Sequence, residues 1–445
     1  MISSINNIST NVDLEVLRPY QLEGVEWLLK NERCILADDM GLGKTIQVIK
    51  AINLLIEQES IDKVLIVSPI SLIKNWEEEF EKWYPEMEIY RVLSKDSNIS
   101  IIKALSNFNI LITNYERLRT DSTIFEEFDF DLIVADEVHR VRNDNSQISK
   151  SFNKISSLRL WALTGTPIEN NIEDLINLAG YISPSLFSKK DIKRNELYIK
   201  EQIRPYILRR NKKQVLTELP EIIENFVPVD LTKQQREEYE KIWITRKSIV
   251  NSEGSYFSVL SKLRNICDGD EEYLKNAKVK EALKILKNTI PFDEKVIIFS
   301  YYKTPLVALE TALLDEKISF QTILGDDDLT TREKNIEHFK NDPNIKILLA
   351  SSRVAAEGLN LTVANNVIFL NRWWNPSSNN QARDRVNRMG QEKIINIYNI
   401  YCTNTVEERL NEILSEKGSL YEKMVDGLIE SIEDIPIDYL IEDQI

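Results

Sequence analysis

Short apolar runs and stretches of helical periodicity alternate along most of the chain. Arg33 to Ala37 is an apolar run of strand length, and Thr45 to Ile56 then repeats apolar residues at helical spacing. Residues 63–83 begin as a buried strand, break at Ser68-Pro69 and resume as a helix. Strand-like runs with polar ends recur at 109–118, 129–143 and 159–175. Such alternation predicts a mostly parallel α/β sheet, whose ligands gather at the carboxyl ends of its strands. From Ile172 to about Ala277 the pattern predicts charged helices, and the strand-helix alternation restarts with runs at 295–310, 346–352 and 365–373. Two sheets of similar construction are expected, one per half, with no glycine-rich linker, low-complexity tract or short repeat.

Candidate chemistry sits at the ends of these runs. Residues 37–47, ADDMGLGKTIQ, place Gly41 and Gly43 in a loop and Lys44-Thr45 at a helix start, the layout of a phosphate loop. Backbone N–H groups there face phosphate oxygens, Lys44 offers a cation and Thr45 a hydroxyl for Mg²⁺. The strict pattern wants glycine where this chain has Asp38, so on this stretch alone an ordinary strand-to-helix turn stays open. Just before it, 17–29 reads as a helix with Pro19 in its first turn. Its Gln21 is either a packing residue or a carboxamide gripping an adenine edge.

Asp136-Glu137 ends the Val/Ile-rich run at 129–143 and is the sharper signal. A first carboxylate suits the shell of Mg²⁺, and a second suits the base that orients water on a γ-phosphate. Thr164-Gly165-Thr166-Pro167 is either a sensor of γ-phosphate loss or a plain turn. The patch Arg209-Arg210-Asn211-Lys212-Lys213 fits a nucleic-acid contact and a solvated surface equally. In 381–391, Gln381, Arg385 and Arg388 are spaced to share one helix face. They read either as a charged surface or as fixed positive charge for a phosphoryl-transfer transition state.

Composition narrows the class. The chain has 445 residues, 42% hydrophobic and 29% charged, enough for two or three soluble domains. No apolar run reaches membrane-spanning length and Met1 to Val12 does not look like a signal peptide, so a cytosolic protein with no membrane partner is expected. Cys34, Cys267 and Cys402 lie far apart and only two histidines occur, so neither disulfides nor zinc are expected. The net charge of −15 argues against a nucleic-acid partner, but Tyr421 to Ile445 holds eight acidic residues against one lysine. A local basic groove on an acidic protein remains compatible with DNA.

Taken together, DDMGLGKTIQ, LIVSPISLIKNWEEEF, ITNYERL, DEVHR, LTGTPIENN, PYILRRNKKQVLTELPEIIE, KVIIFS, ASSRVAAEGLNLT, WWNP and QARDRVNRMGQ resemble, in order and rough spacing, the Swi/Snf-type ATPases of helicase superfamily two. The resemblance covers about Leu17 to Gly427 and is nearest to the compact bacterial and archaeal members. Asp39 stands where the family usually has glutamate, Val138 replaces an alanine, Ala355-Ala356 a glycine pair and Asn387 a histidine. None of these removes a group that performs chemistry.

The resemblance implies an α/β fold of two RecA-like lobes with helical insertions. The expected division is 1–226 for lobe one with a short helical insert at about 172–206, 227–277 for a helical insert or linker, 278–420 for lobe two and 421–445 for an acidic tail. It implies ATP and Mg²⁺ as cofactors and DNA-stimulated ATP hydrolysis coupled to tracking on double-stranded DNA, in the bacterial cytosol or nucleoid, with a protein partner for targeting. Lys44, Asp136, Glu137, Arg385 and Arg388 would be catalytic, with Thr45 and Asp136 at the metal. Arg18, Gln21, Asp39, Met40, Gly41, Leu42, Gly43, Gly358 and Gln381 would complete the nucleotide site. Ser71, Lys74, Asn75, Thr113, Tyr115, Tyr301, Lys303, Arg353 and Trp374 would touch DNA. A strand-separating helicase and a slow ATP-gated clamp are the alternatives.

Overall fold

The computed structural model describes residues 14–92, 96–141, 146–165, 172–183, 186–187, 196–216, 220–253, 256–352, 360–372, 376–388 and 390–415. The chain divides into two compact units, Met1–Thr217 and Glu218–Ile445.

The first unit holds β1 (Arg33–Leu36), β2 (Val64–Ser68), β3 (Ile89–Arg91), β4 (Ile110–Asn114), β5 (Phe130–Ala135), β6 (Ser157–Leu163) and β7 (Ile207–Leu208) in the order β3-β4-β2-β5-β6-β1-β7. Every pairing is parallel. Parallel strands covered by helices on both faces are apolar at every position, which is why β2 reads VLIVS and is buried throughout. Alternate residues supply different cores. Ile35, Leu65, Val67, Leu111 and Ile133 face one cluster, and Cys34, Leu36, Val64, Ile66, Ile112 and Val134 face the other. The helices Ile172–Ile182 and Glu196–Ile203, where an insert is expected, bury Ile176, Ala179, Ile182, Ile199 and Ile203 in the first of these clusters.

The second unit repeats the construction with β8 (Ile222–Val229), β9 (Val296–Ser300), β10 (Phe320–Ile323), β11 (Ile347–Ser351), β12 (Asn366–Phe369) and β13 (Ile395–Cys402), in the order β10-β11-β9-β12-β13-β8 and again all parallel. Ile297, Phe299, Leu348 and Val367 face one cluster, while Val296, Ile298, Leu349 and Ile368 face the other. The expected α/β class with two parallel sheets flanked by helices is therefore present.

The boundaries differ from those expected. β8 lies inside the stretch 172–277 that the pattern assigned to helices, and it straddles the expected limit at 226. It is an edge strand with alternating exposure, Phe226 at 43% and Ile223 at 41%, and Pro228 near its end, so it lacks the continuous apolar run of a central strand. The helices Lys233–Glu253 and Tyr256–Asp268, within the expected insert or linker, bring Tyr239, Val259, Leu260 and Leu263 into the second unit's core. The acidic tail 421–445 lies outside the described residues.

Charge is also buried in this unit. The Lys278 ammonium is 0% exposed, 2.8 Å from Asp268 Oδ1 and paired with Glu407. Burial works against its charge, but Asp268 and Glu407 outweigh that and hold its pKa above the ordinary lysine value. Cys267 and Cys402, distant in sequence, meet at this same Glu407. Asn371 carries the network to the end of β9, donating to Asp268 Oδ1 (2.9 Å) and Ser300 Oγ (2.9 Å) and accepting from the Tyr301 N–H (2.7 Å).

Candidate functional site

All strands of the first sheet are parallel, so their carboxyl ends share one edge. The neighbours β1, β6 and β5 set residues 37–45, Thr164-Gly165 and Asp136-Glu137 side by side on it. After β1 the chain turns through Gly41 (φ 84°) and Gly43 (φ 75°), left-handed conformations that glycine adopts without strain. Gly43 caps α2 (Lys44–Glu57), whose first amides and dipole face the loop. Lys44 Nζ donates to the Asp38 carbonyl at 2.8 Å. A Cβ on Gly165 would lie 2.4 Å from Met40 Cγ and 3.2 Å from Lys44 Nζ, so only glycine lets β6 close on the loop.

At the end of β5 the chain enters a strained turn, with Glu137 at φ 50°, a region a side-chain-bearing residue occupies only when its surroundings enforce it. The enforcing contacts converge on Asp136. Trp76 of α3 (Ile73–Trp83) donates its indole N–H to Asp136 Oδ2 (2.9 Å), the Glu137 amide donates to Oδ1 (3.0 Å), and Tyr115 O–H donates to the Asp136 carbonyl (2.7 Å). Burial first, and then the Glu137 carboxylate, push the Asp136 carboxyl up to about 6, while Trp76, Lys44 and the Glu137 amide pull it back. Lys44 is thus among the charges that bear on Asp136, and the loop and the carboxylate pair share the sheet's carboxyl edge.

The residues fit ATP with Mg²⁺. The glycine-bounded loop at a helix start suits phosphate, and the ammonium of Lys44, the hydroxyl of Thr45 and the buried carboxylate of Asp136 are hard donors of the kind a triphosphate and Mg²⁺ need. Gln21 is 3% exposed, donates to the Leu42 carbonyl (3.2 Å) and accepts from the Arg18 N–H (3.1 Å), so its carboxamide ties the start of α1 (Pro19–Lys30) to the loop. Thr113, near the end of β4, and Tyr115, which starts the helix that follows, are 0% and 2% exposed, and Tyr115 packs into the first unit's core. The helix expected over 381–391 runs only from Pro376 to Arg383. Tight turns follow, with Arg385 N on Ala382 O (3.2 Å), Val386 N on Arg383 O (3.0 Å) and Gly390 at φ 93°, so Gln381, Arg385 and Arg388 do not share a helix face. Arg385 is 1% exposed, whereas Gln381 and Arg388 are half-buried.

Ser71, Lys74 and Asn75 are half-buried at the start of α3, Tyr301 is half-buried and Lys303 is exposed after β9, paired with Asp326. Arg353, Gly358 and Trp374, with Thr166-Pro167, lie outside the described residues. Two participants escaped notice in the sequence. Trp76 carried no motif of its own, and Arg210 lay in a basic patch open to two readings, although the aspartate in place of the loop's glycine was a signal that a cation had to accompany it.

A phosphate loop and a carboxylate pair on one parallel sheet, followed by a second sheet of like construction, are the parts of a helicase-like ATPase. Residues 20–272 match the family model of the SNF2-related domain, residues 276–390 match that of the helicase conserved C-terminal domain, and the chain belongs to the SNF2-related family of helicase-like ATPases. An uncharacterized ATP-dependent helicase of Mycoplasma pneumoniae is 33% identical over 92% of this chain and 42% of its own length. The CHD3-type chromatin-remodeling factor PICKLE of Arabidopsis thaliana is 30% identical over 94% of this chain and 34% of its own. The chain thus spans less than half the length of these curated relatives. Among solved structures, the Sulfolobus solfataricus SWI2/SNF2 ATPase core in complex with dsDNA is 29% identical, covers 98% of each chain and has a TM-score of 0.46. Among the described residues no helix is long and apolar enough to cross a membrane.

Proposed function

We propose that the chain hydrolyses ATP with Mg²⁺, is stimulated by double-stranded DNA, and uses turnover to move along the duplex and remodel or displace protein–DNA complexes. The observation that carries this reading is the meeting of Lys44, Asp136 and Glu137 at one sheet edge, with the Lys44 charge acting on the Asp136 carboxyl. Amides of the loop from Asp39 to Thr45, including those of Met40 and Leu42, hold phosphate oxygens, and Lys44 holds the β- and γ-phosphates. Thr45 and Asp136 would hold Mg²⁺, which supplies neutralising charge on the phosphates when bound. Glu137 orients the attacking water and takes its proton. Gln381 and Gly358 are proposed as nucleotide contacts of the second unit, and Arg388 as the arginine on which fast turnover depends. Arg385 is proposed as a second catalytic arginine beside it.

The duplex is held through its phosphates by Ser71, Lys74, Asn75, Tyr301 and Lys303, with Arg353 and Trp374. Lys303 is exposed, so DNA phosphate competes with Asp326 for an accessible cation. The remodelling half of the proposal is supported by the chromatin-remodeling name of the PICKLE relative, and the ATP-dependent helicase name of the Mycoplasma relative favours strand separation as a second reading. A DNA triplex and a forked duplex, each incubated with the chain, ATP and Mg²⁺, separate the two. Displacement of the third strand with the fork left paired is expected. Unwinding of the fork would replace the translocase by a helicase, and action on neither would overturn both.

A further inference from the structure

Asp38 occupies the loop position where a phosphate-binding pattern calls for glycine, and its carboxylate is 0% exposed. A buried carboxylate persists only with partners. Arg210, itself 8% exposed, grips it with two prongs, Nε to Oδ1 at 2.9 Å and Nη2 to Oδ2 at 2.6 Å. Nη2 also donates to Gln47 Oε1 (2.8 Å), and Gln47 Nε2 donates to Asp38 Oδ2 (3.2 Å) and the Gly43 carbonyl (3.2 Å). Nη1 donates to the Tyr20 carbonyl, and the guanidinium lies 5.3 Å from the Tyr20 ring centre. The Tyr20 hydroxyl in turn donates to the Leu42 carbonyl at 3.2 Å. Space for this cluster exists because residue 24 is glycine: a Cβ there would sit 1.7 Å from Gln47 Oε1 and 2.8 Å from Arg210 Nη2.

The main chain around Arg210 is tied to the same loop. Ala37 N donates to Leu208 O (2.8 Å), Asp39 N to Arg210 O (3.0 Å) and Lys212 N to Asp39 Oδ2 (2.9 Å). Residues 207–212 are thus an extra rung beside β1 that continues past the strand into the loop. The short helix Lys212–Val215 follows them, and the first unit ends at Thr217.

We propose that Arg210 is the positioning residue of the phosphate loop: acting through Asp38 and Gln47 it sets the loop's triphosphate-binding shape, so the segment by which the chain leaves the first unit controls nucleotide affinity. The proposal rests on the ATP-binding reading given above. A cation present only to balance the Asp38 charge would predict something different, because removing both charges would then restore everything.

The full-length chain tests this with Arg210→Ala, Arg210→Lys and the double change Asp38→Asn with Arg210→Ala, measuring the dissociation constant for ATP with Mg²⁺ and the unfolding temperature of each. Arg210→Ala should unfold earlier and bind ATP more weakly by roughly ten- to hundred-fold, the range a misplaced binding group commands. The double variant should recover its unfolding temperature but not its ATP affinity. Arg210→Lys keeps the charge and loses the fork, so it should stay folded and still bind ATP roughly ten-fold more weakly. Affinity within about three-fold of the parent in the double variant or in Arg210→Lys overturns the proposal, at a difference under 1 kcal/mol by the usual conversion. Should Arg210→Ala fail to fold, these two variants decide. A parent chain that binds no ATP would instead overturn the functional reading.

Discussion

Each unit buries charged side chains beneath the end of a strand, but the two clusters serve different ends. In the first, Asp38 and Arg210 lie under a loop whose glycines take left-handed conformations, and Asp136 is pushed up to about 6 beside Glu137. In the second, Lys278, Asp268 and Glu407 join the helices Tyr256–Asp268, Ala277–Asn288 and Val406–Ser415 and reach the end of β9 through Asn371. The second cluster sets one ammonium between two carboxylates, each within hydrogen-bond reach. The first leaves an acid whose ionised form is less favoured than that of an exposed aspartate, next to a backbone held in strain. Stability is given up where chemistry is expected and kept where the fold is being braced.

The largest effect that would sharpen this contrast is kinetic. Arg388→Ala should leave ATP affinity within a few-fold but remove DNA stimulation, a loss on the order of 10³ in turnover for an arginine that serves the transition state. Phosphate release measured with and without duplex DNA checks it. Parental stimulation in this variant would reduce the second unit's turn at 384–388 to a charged surface.

Lys278→Met should act on stability alone. It leaves Asp268 and Glu407 as buried carboxylates without their cation, a change that costs about 3–5 kcal/mol. Urea unfolding should register it, while ATP affinity at low temperature stays parental. A large fall in affinity would erase the distinction between the two clusters.

The smallest effect is a dependence on pH. The folded state holds the Asp136 proton up to about pH 6, whereas an exposed aspartate releases it near 3.8, so Asp136 favours folding below 3.8 and that contribution is lost as pH rises through 6. Asp136→Asn should therefore raise the unfolding temperature at pH 7.5, and this gain should shrink as pH falls towards 4, although hydrolysis is abolished. A gain that grows with acidity would contradict the assigned direction.

The features legible in the sequence are those encoded over a few neighbouring residues. Central strands such as β2 and β9 announce themselves as apolar runs, and the loop and carboxylate pair as short motifs at their ends. What stayed hidden depends on distant partners. Arg210 reaches Asp38 across 172 residues and Trp76 reaches Asp136 across 60, and no local pattern connects either pair. Edge strand β8 was obscured by its exposed face, and the arginine spacing at 381–391 suggested a helix because spacing does not register the tight turns that begin after Arg383.

The central claim is that the loop and the carboxylate pair of the first unit are one ATP-hydrolysing site. Its most direct test is Glu137→Gln, with ATP binding in the presence of Mg²⁺ and DNA-stimulated phosphate release measured on the same preparation. An amide keeps the shape of the side chain and cannot take a proton, so the variant should bind ATP like the parent and release no phosphate above background. Hydrolysis near the parental rate would contradict the claim.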